Sequence, residues 1–246
     1  MPEAWGWLFA GLAAVLVGLS KTGFPAAGIL FVPLMAQVFP AKESVGALLP
    51  LLIMADFWAL YYYRRAAKIQ LLLKLFPGVA MGITLGSFIL SRLNDVTLKP
   101  VLGALILALI ILDLFRQRHG LHHITQSPLL VHCIGIAAGI TTTVGNAAGP
   151  VVGLYFLILG LKKEEFMGTS AWLFLIMNCS KFPIFISLDI IHPHTLLFAL
   201  AMLPCIMIGA MTGRRVLNLL PQKIFNACII FLSTAVALSF ILNYFW

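Results

Sequence analysis

Charge is what this sequence has least of. One residue in ten is charged and only eight of 246 are acidic, against 61% hydrophobic. Soluble domains carry about 25% charged residues, so a core wrapped in a wetted, charged surface is excluded and the chain has to live in a bilayer. Cysteine is scarce as well. Cys133, Cys179, Cys205 and Cys228 lie in apolar stretches without C-x-x-C spacing, which speaks against a disulfide framework or a zinc site and predicts free cysteines used for packing. No phosphate-binding loop motif is present to drive a nucleotide-powered pump. The amino terminus has Glu3 where a secretion signal carries Lys or Arg, so Ala4 to Val17 reads as a retained helix.

Long apolar runs are abundant. Ser44 to Tyr63, Leu71 to Leu90, Val101 to Phe115 and Phe225 to Leu242 approach the length that crosses about 30 Å of hydrocarbon. The net charge of +8 comes from short basic clusters between these runs, and so signals topology rather than nucleic acid. Taking alternate loops, Arg64, Arg65, Lys68, Arg116, Arg118, Lys162, Lys163, Arg214, Arg215 and Lys223 fall on one side, and Lys42, Arg92 and Lys99 on the other. That ten-to-three bias puts the first side in the cytoplasm and both termini outside.

Two stretches interrupt the apolar pattern: Gly18-Leu-Ser-Lys-Thr-Gly-Phe-Pro-Ala-Ala-Gly28 and Gly139-Ile-Thr-Thr-Thr-Val-Gly-Asn-Ala-Ala-Gly149, at an offset of 121. Lys42-Glu43 and Lys163-Glu164 share that offset, Asp56 and Asn178 are 122 apart, and Pro77, Gly82 and Gly86 match Pro204, Gly209 and Gly213 at 127. The chain is therefore an internal repeat, with residues 1–123 (including a cytoplasmic linker) and 124–246 as its halves. Each half has about five helical segments, the first two short: Ala4 to Gly18 and Ala26 to Val38, then a helix up to Gly139 and Pro150 to Leu159. Such short segments either cross steeply or re-enter as a hairpin. The count of crossings per half is odd either way, so the expected fold is an all-α polytopic membrane protein of two inverted repeats.

A helix that starts at membrane depth aims unsatisfied N–H groups and the positive end of its dipole at what precedes it. Two such starts, with Ser20, Lys21, Thr22, Thr141, Thr142, Thr143 and Asn146 around them, suit a small oxyanion. The same glycines would also let helices pack closely, which is the plainer explanation for one break taken alone. Asp56 sits well inside a span, where a carboxylate costs about 2.5–3.5 kcal/mol. It reads either as a proton or cation coupling site or as a structural hydrogen-bonding group. Lys181 reads as a second cation at the site or as a side chain snorkelling to the interface. No histidine pair has a metal-site context, and His122-His123 reads as a solvated loop.

Gly168-Thr-Ser-Ala-Trp-Leu-Phe-Leu-Ile-Met-Asn-Cys-Ser-Lys-Phe-Pro183 resembles a second-half motif of the TauE/SafE family of sulfite and organosulfonate exporters, through Thr169, Phe174, Asn178, Lys181 and Pro183. Both breaks resemble that family's paired glycine-rich motifs, although Ala26-Ala27 and Ala147-Ala148 stand where the family often has glycines and Lys21 adds a charge. The resemblance implies a secondary transporter of a small sulfur-containing anion, working with protons in the lipid bilayer and without cofactor, metal or nucleic acid. Its expected substrate contacts are Ser20, Lys21, Thr22, Thr141, Thr142, Thr143, Asn146, Asn178 and Lys181, with Asp56 as the coupling residue. A passive anion channel shares the same polar breaks. A membrane enzyme would draw on Cys179 beside Ser180 and Lys181.

Overall fold

The computed structural model describes residues 4–25, 28–39, 41–92 and 127–245. Among them there are ten α-helices and no strand. They are α1 Ala4–Thr22, α2 Gly28–Ala36, α3 Ala41–Tyr63, α4 Ile69–Arg92, α5 Pro128–Gly145, α6 Gly149–Ile158, α7 Lys163–Ser187, α8 Pro193–Ala201, α9 Leu203–Leu219 and α10 Gln222–Phe245. The expected helix from Val101 to Phe115, Lys99, Asp113, Arg116, Arg118 and His122-His123 lie outside the described residues.

Two of the expected short helices are not short. α1 runs through Ser20, Lys21 and Thr22 for 19 residues, about 28 Å at 1.5 Å per residue, and α5 runs through the three threonines to Gly145. The hydroxyls explain why. Thr22 Oγ1 donates back to Gly18 O at 2.9 Å, Thr141 Oγ1 to Ala137 O at 2.8 Å and Thr143 Oγ1 to Gly139 O at 2.8 Å. A hydroxyl that bonds the preceding turn needs no water, so these residues continue a helix in apolar surroundings. The breaks are correspondingly narrower. α1 stops where Gly23 N and Phe24 N both close on Leu19 O, and α5 stops at Asn146, whose φ of 52° is left-handed. α2 and α6, of nine and ten residues, are too short to cross.

The described residues divide into two compact units, each drawing on both halves of the sequence. The first comprises residues 1–68 and 163–221. Here the rings of Trp7, in the first turn of α1, and Phe39, after α2, both lie against Phe198, with centroids 5.9 and 5.2 Å away. The two ends of the α1–α2 segment thus return to one place. Ala10, Ala13, Ala14 and Val17 of α1 share a core with Phe31, Met35, Leu48, Leu51, Phe198 and Ile206. At the other end of the unit, Lys163 Nζ caps α9 by donating to Leu217 O and Leu220 O at 2.7 and 3.0 Å. Lys68 there pairs with Glu165 at 2.7 Å while its N–H donates to Thr169 Oγ1 at 3.0 Å. Thr169 of the family-like motif therefore ties the turn after α3 to α7. α8 and α9 meet at a 50° bend, with Pro204 in the first turn of α9. Its repeat mate Pro77 stays inside the continuous α4.

The second unit comprises residues 69–162 and 222–246, built from α4, α5, α6 and α10. Its closest crossing is α4 on α5, where a Cβ on Gly139 would stand 2.7 Å from Gly82. In the first unit, α1 crosses α9 with Gly18 against Ile206 O and Gly209. Gly18 and Gly139 are repeat mates, and so are Gly209 and Gly82. The same glycine-to-glycine crossing is thus made twice, each time between one helix from either half.

Candidate functional site

The first unit gathers five polar residues, Lys21, Asp56, Ser170, Asn178 and Lys181, in its interior. α7 presents Ser170, Phe174, Asn178 and Lys181 at intervals of four, four and three, which is one helical face. α3 brings Asp56 against it, with 0% of the residue exposed. Asn178 Nδ2 donates to Asp56 Oδ2 at 2.6 Å. From α1, Lys21 Nζ reaches Asp56 Oδ1 at 2.8 Å with its side chain nine-tenths buried, and the same ammonium lies 3.9 Å from the centroid of the Phe174 ring. Among the described residues Oδ1 has no hydrogen bond beyond this ion pair. The aromatic face partly replaces the hydration that Lys21 gives up.

Lys181 is also 0% exposed. Its Nζ lies 5.8 Å from the Phe185 ring centroid. Such burial does not fit snorkelling, which leaves the ammonium at a wetted surface. Lys181 is thus buried in the same unit as the Lys21–Asp56 ion pair.

The other expected contacts are placed as follows. Ser20 Oγ donates to Pro25 O at 3.3 Å and so braces the first break. Thr22 is fully buried, with Oγ1 2.7 Å from Ala210 O as well as near Gly18 O, and its own carbonyl accepts from Tyr63 Oη at 2.7 Å. Thr141, Thr142, Thr143 and Asn146 belong to the second unit, the threonines buried and Asn146 ending α5. The cysteines are free but not all packed away, as Cys133 and Cys179 are exposed. In an apolar span such exposure faces outward rather than into a core. Ser180 is exposed and donates to Ile176 O at 2.8 Å, which leaves Cys179 without the neighbouring hydroxyl that an enzyme reading gave it.

Two members of the cluster were given no role at the site from the sequence. Phe174 stood in the motif, but nothing in its spacing pointed to Lys21. Ser170 has a buried Oγ with no hydrogen-bond partner among the described residues, a rare and costly state. Its spacing of four and eight from Phe174 and Asn178 was the signal that could have found it.

A polytopic α-helical protein with candidate membrane spans throughout and a buried cluster of charged and amide side chains belongs to the class of integral membrane transporters. The family model described as Sulfite exporter TauE/SafE matches residues 8–240, and the chain belongs to that family. No curated protein and no solved structure gives a significant match.

Proposed function

We propose that the protein exports a small sulfur-containing anion, sulfite or a sulfonate, across the cytoplasmic membrane, coupled to the proton gradient and by alternating access between its two repeats. In this reading residues 1–123 and 124–246 are the inverted repeats and both termini lie outside. The observation that carries it is the contact of Asp56 with Asn178. These are repeat mates, and a residue touches its own mate only near the axis that relates the repeats, where carriers of this architecture bind substrate. Lys21 and Lys181 supply the positive charge, Asn178 a directed donor and Asp56 the group that exchanges a proton. Ser20 and Thr22 are further expected contacts in the same unit, and the expectation for Thr141, Thr142, Thr143 and Asn146 rests on the sequence repeat alone. Proteoliposomes offered sulfite, thiosulfate, sulfoacetate, taurine, sulfate and carboxylates test it. Saturable, concentrative flux of a sulfur anion that responds to an imposed pH gradient is expected. Non-saturating conductance would mean a channel, and a chemically altered product an enzyme.

A further inference from the structure

The side chains expected to hold the substrate anion already hold one. Lys21 and Asn178 both spend their donors on Asp56, at 2.8 and 2.6 Å, and a carboxylate offers the paired, negatively charged oxygens of a small oxyanion. A second oxyanion on Lys21 with Asp56 still ionised would meet like charge at roughly 4 Å in a poorly screened interior. Asp56 has no exposed surface through which to turn into water.

We propose that Asp56 is the resident anion of this site and that substrate replaces it: Lys21 and Asn178 pass from the carboxylate to the incoming oxyanion as Asp56 takes up a proton. This rests on the anion-transport reading above. The proton comes from water and adds to a carboxylate oxygen, and no other covalent bond changes. Charge is conserved within the site. When empty, the Lys21 ammonium faces a carboxylate; when loaded with a monovalent anion, it faces that anion beside a neutral carboxylic acid. No uncompensated charge is created at depth in either state. Proton and anion binding favour each other, necessarily to the same extent. The two therefore cross together, and for a monovalent anion the step is electroneutral, so that export requires an outward anion gradient larger than any opposing inward proton gradient.

The groups around Asp56 are consistent with this role. α1 turns Lys21 towards it, and α7 turns Asn178 towards it and carries the buried Lys181 on the same face. α2 carries no titratable side chain. α9 brings Arg214, which lies 4.4 Å over the Tyr62 ring near the end of α3, and Cys205, near Gly11 of α1. α8 carries His194, stacked on His192. Lys21 is the group in direct ionic contact.

The test titrates purified full-length protein with ethanesulfonate, whose single charge is constant across the working range, and in parallel with sulfite, corrected for its own buffering. In weakly buffered, mildly alkaline solution the wild type should take up about one proton per anion bound, and its affinity should rise on acidification. Asp56→Asn should bind the anion roughly tenfold tighter, because the competing occupant is gone, with no proton uptake and no pH dependence. Asp56→Glu should restore the uptake. Anion binding to the wild type without proton uptake overturns the proposal and leaves the transport reading standing, as does weaker binding by Asp56→Asn. The wild-type measurement decides the matter whether or not the variant folds. A wild type that neither binds nor transports sulfite or any sulfonate defeats the transport reading itself.

Discussion

Lys21 and Ser20 are adjacent in the sequence and perform different tasks. Ser20 closes the break by bonding Pro25 O, whereas Lys21 carries its charge to Asp56 and Phe174. Their substitutions should separate accordingly. Lys21→Met alone would strand a buried carboxylate, a change that costs about 3–5 kcal/mol, so the comparison belongs in an Asp56→Asn background. There Lys21→Met should lower sulfonate affinity by about tenfold or more, equivalent to about 1.4 kcal/mol, and Ser20→Ala by no more than about twofold. Isothermal titration reads both. Equal losses would remove Lys21 from the anion's contacts. The prominence of Lys21 and Asp56 was legible, because a charge inside an apolar run needs a reason. Their pairing was not, since sequence spacing says nothing about which helices pack.

Helices α1 and α5 show where local reading fell short. Glycines and hydroxyls were read as interruption, yet each threonine that bonds the preceding turn keeps its helix going. The glycines serve a packing role instead. A side chain on Gly18 would strike Ile206 O, and one on Gly139 would come within 2.5 Å of Val79 O. Gly18→Val and Gly139→Val should each destabilise the protein by about 1–3 kcal/mol or more, as overpacked contacts do. Gly149→Ala, which meets nothing within 4 Å, should stay within about 0.5 kcal/mol. Thermal unfolding followed by size-exclusion chromatography checks all three, and a tolerated Gly18→Val would contradict the close crossing. The sequence offsets match Gly18 with Gly139 and Gly82 with Gly209, but only the structure shows that Gly18 packs on Gly209 and Gly139 on Gly82.

For the whole molecule, orientation follows from charge rather than packing. The ten-to-three basic bias predicts that a cysteine placed after Trp246, in a cysteine-free background, reacts with an impermeant reagent added outside intact cells. Reaction from the cytoplasmic side alone would reverse the topology. The background matters because Cys133 and Cys179 are exposed. Membrane residence, the repeat, the glycine punctuation and the unusual carboxylate at Asp56 were all determined by the sequence itself, because hydropathy, spacing and the cost of a charge in hydrocarbon are properties of short stretches. Only the tertiary structure decided that the α1–α2 segment folds back on Phe198, that each compact unit borrows helices from both halves, and that Lys181 is buried rather than snorkelling. It alone brought Asp56 to Asn178 across 122 residues, because such a meeting depends on which helix faces pack together, and no local pattern encodes that.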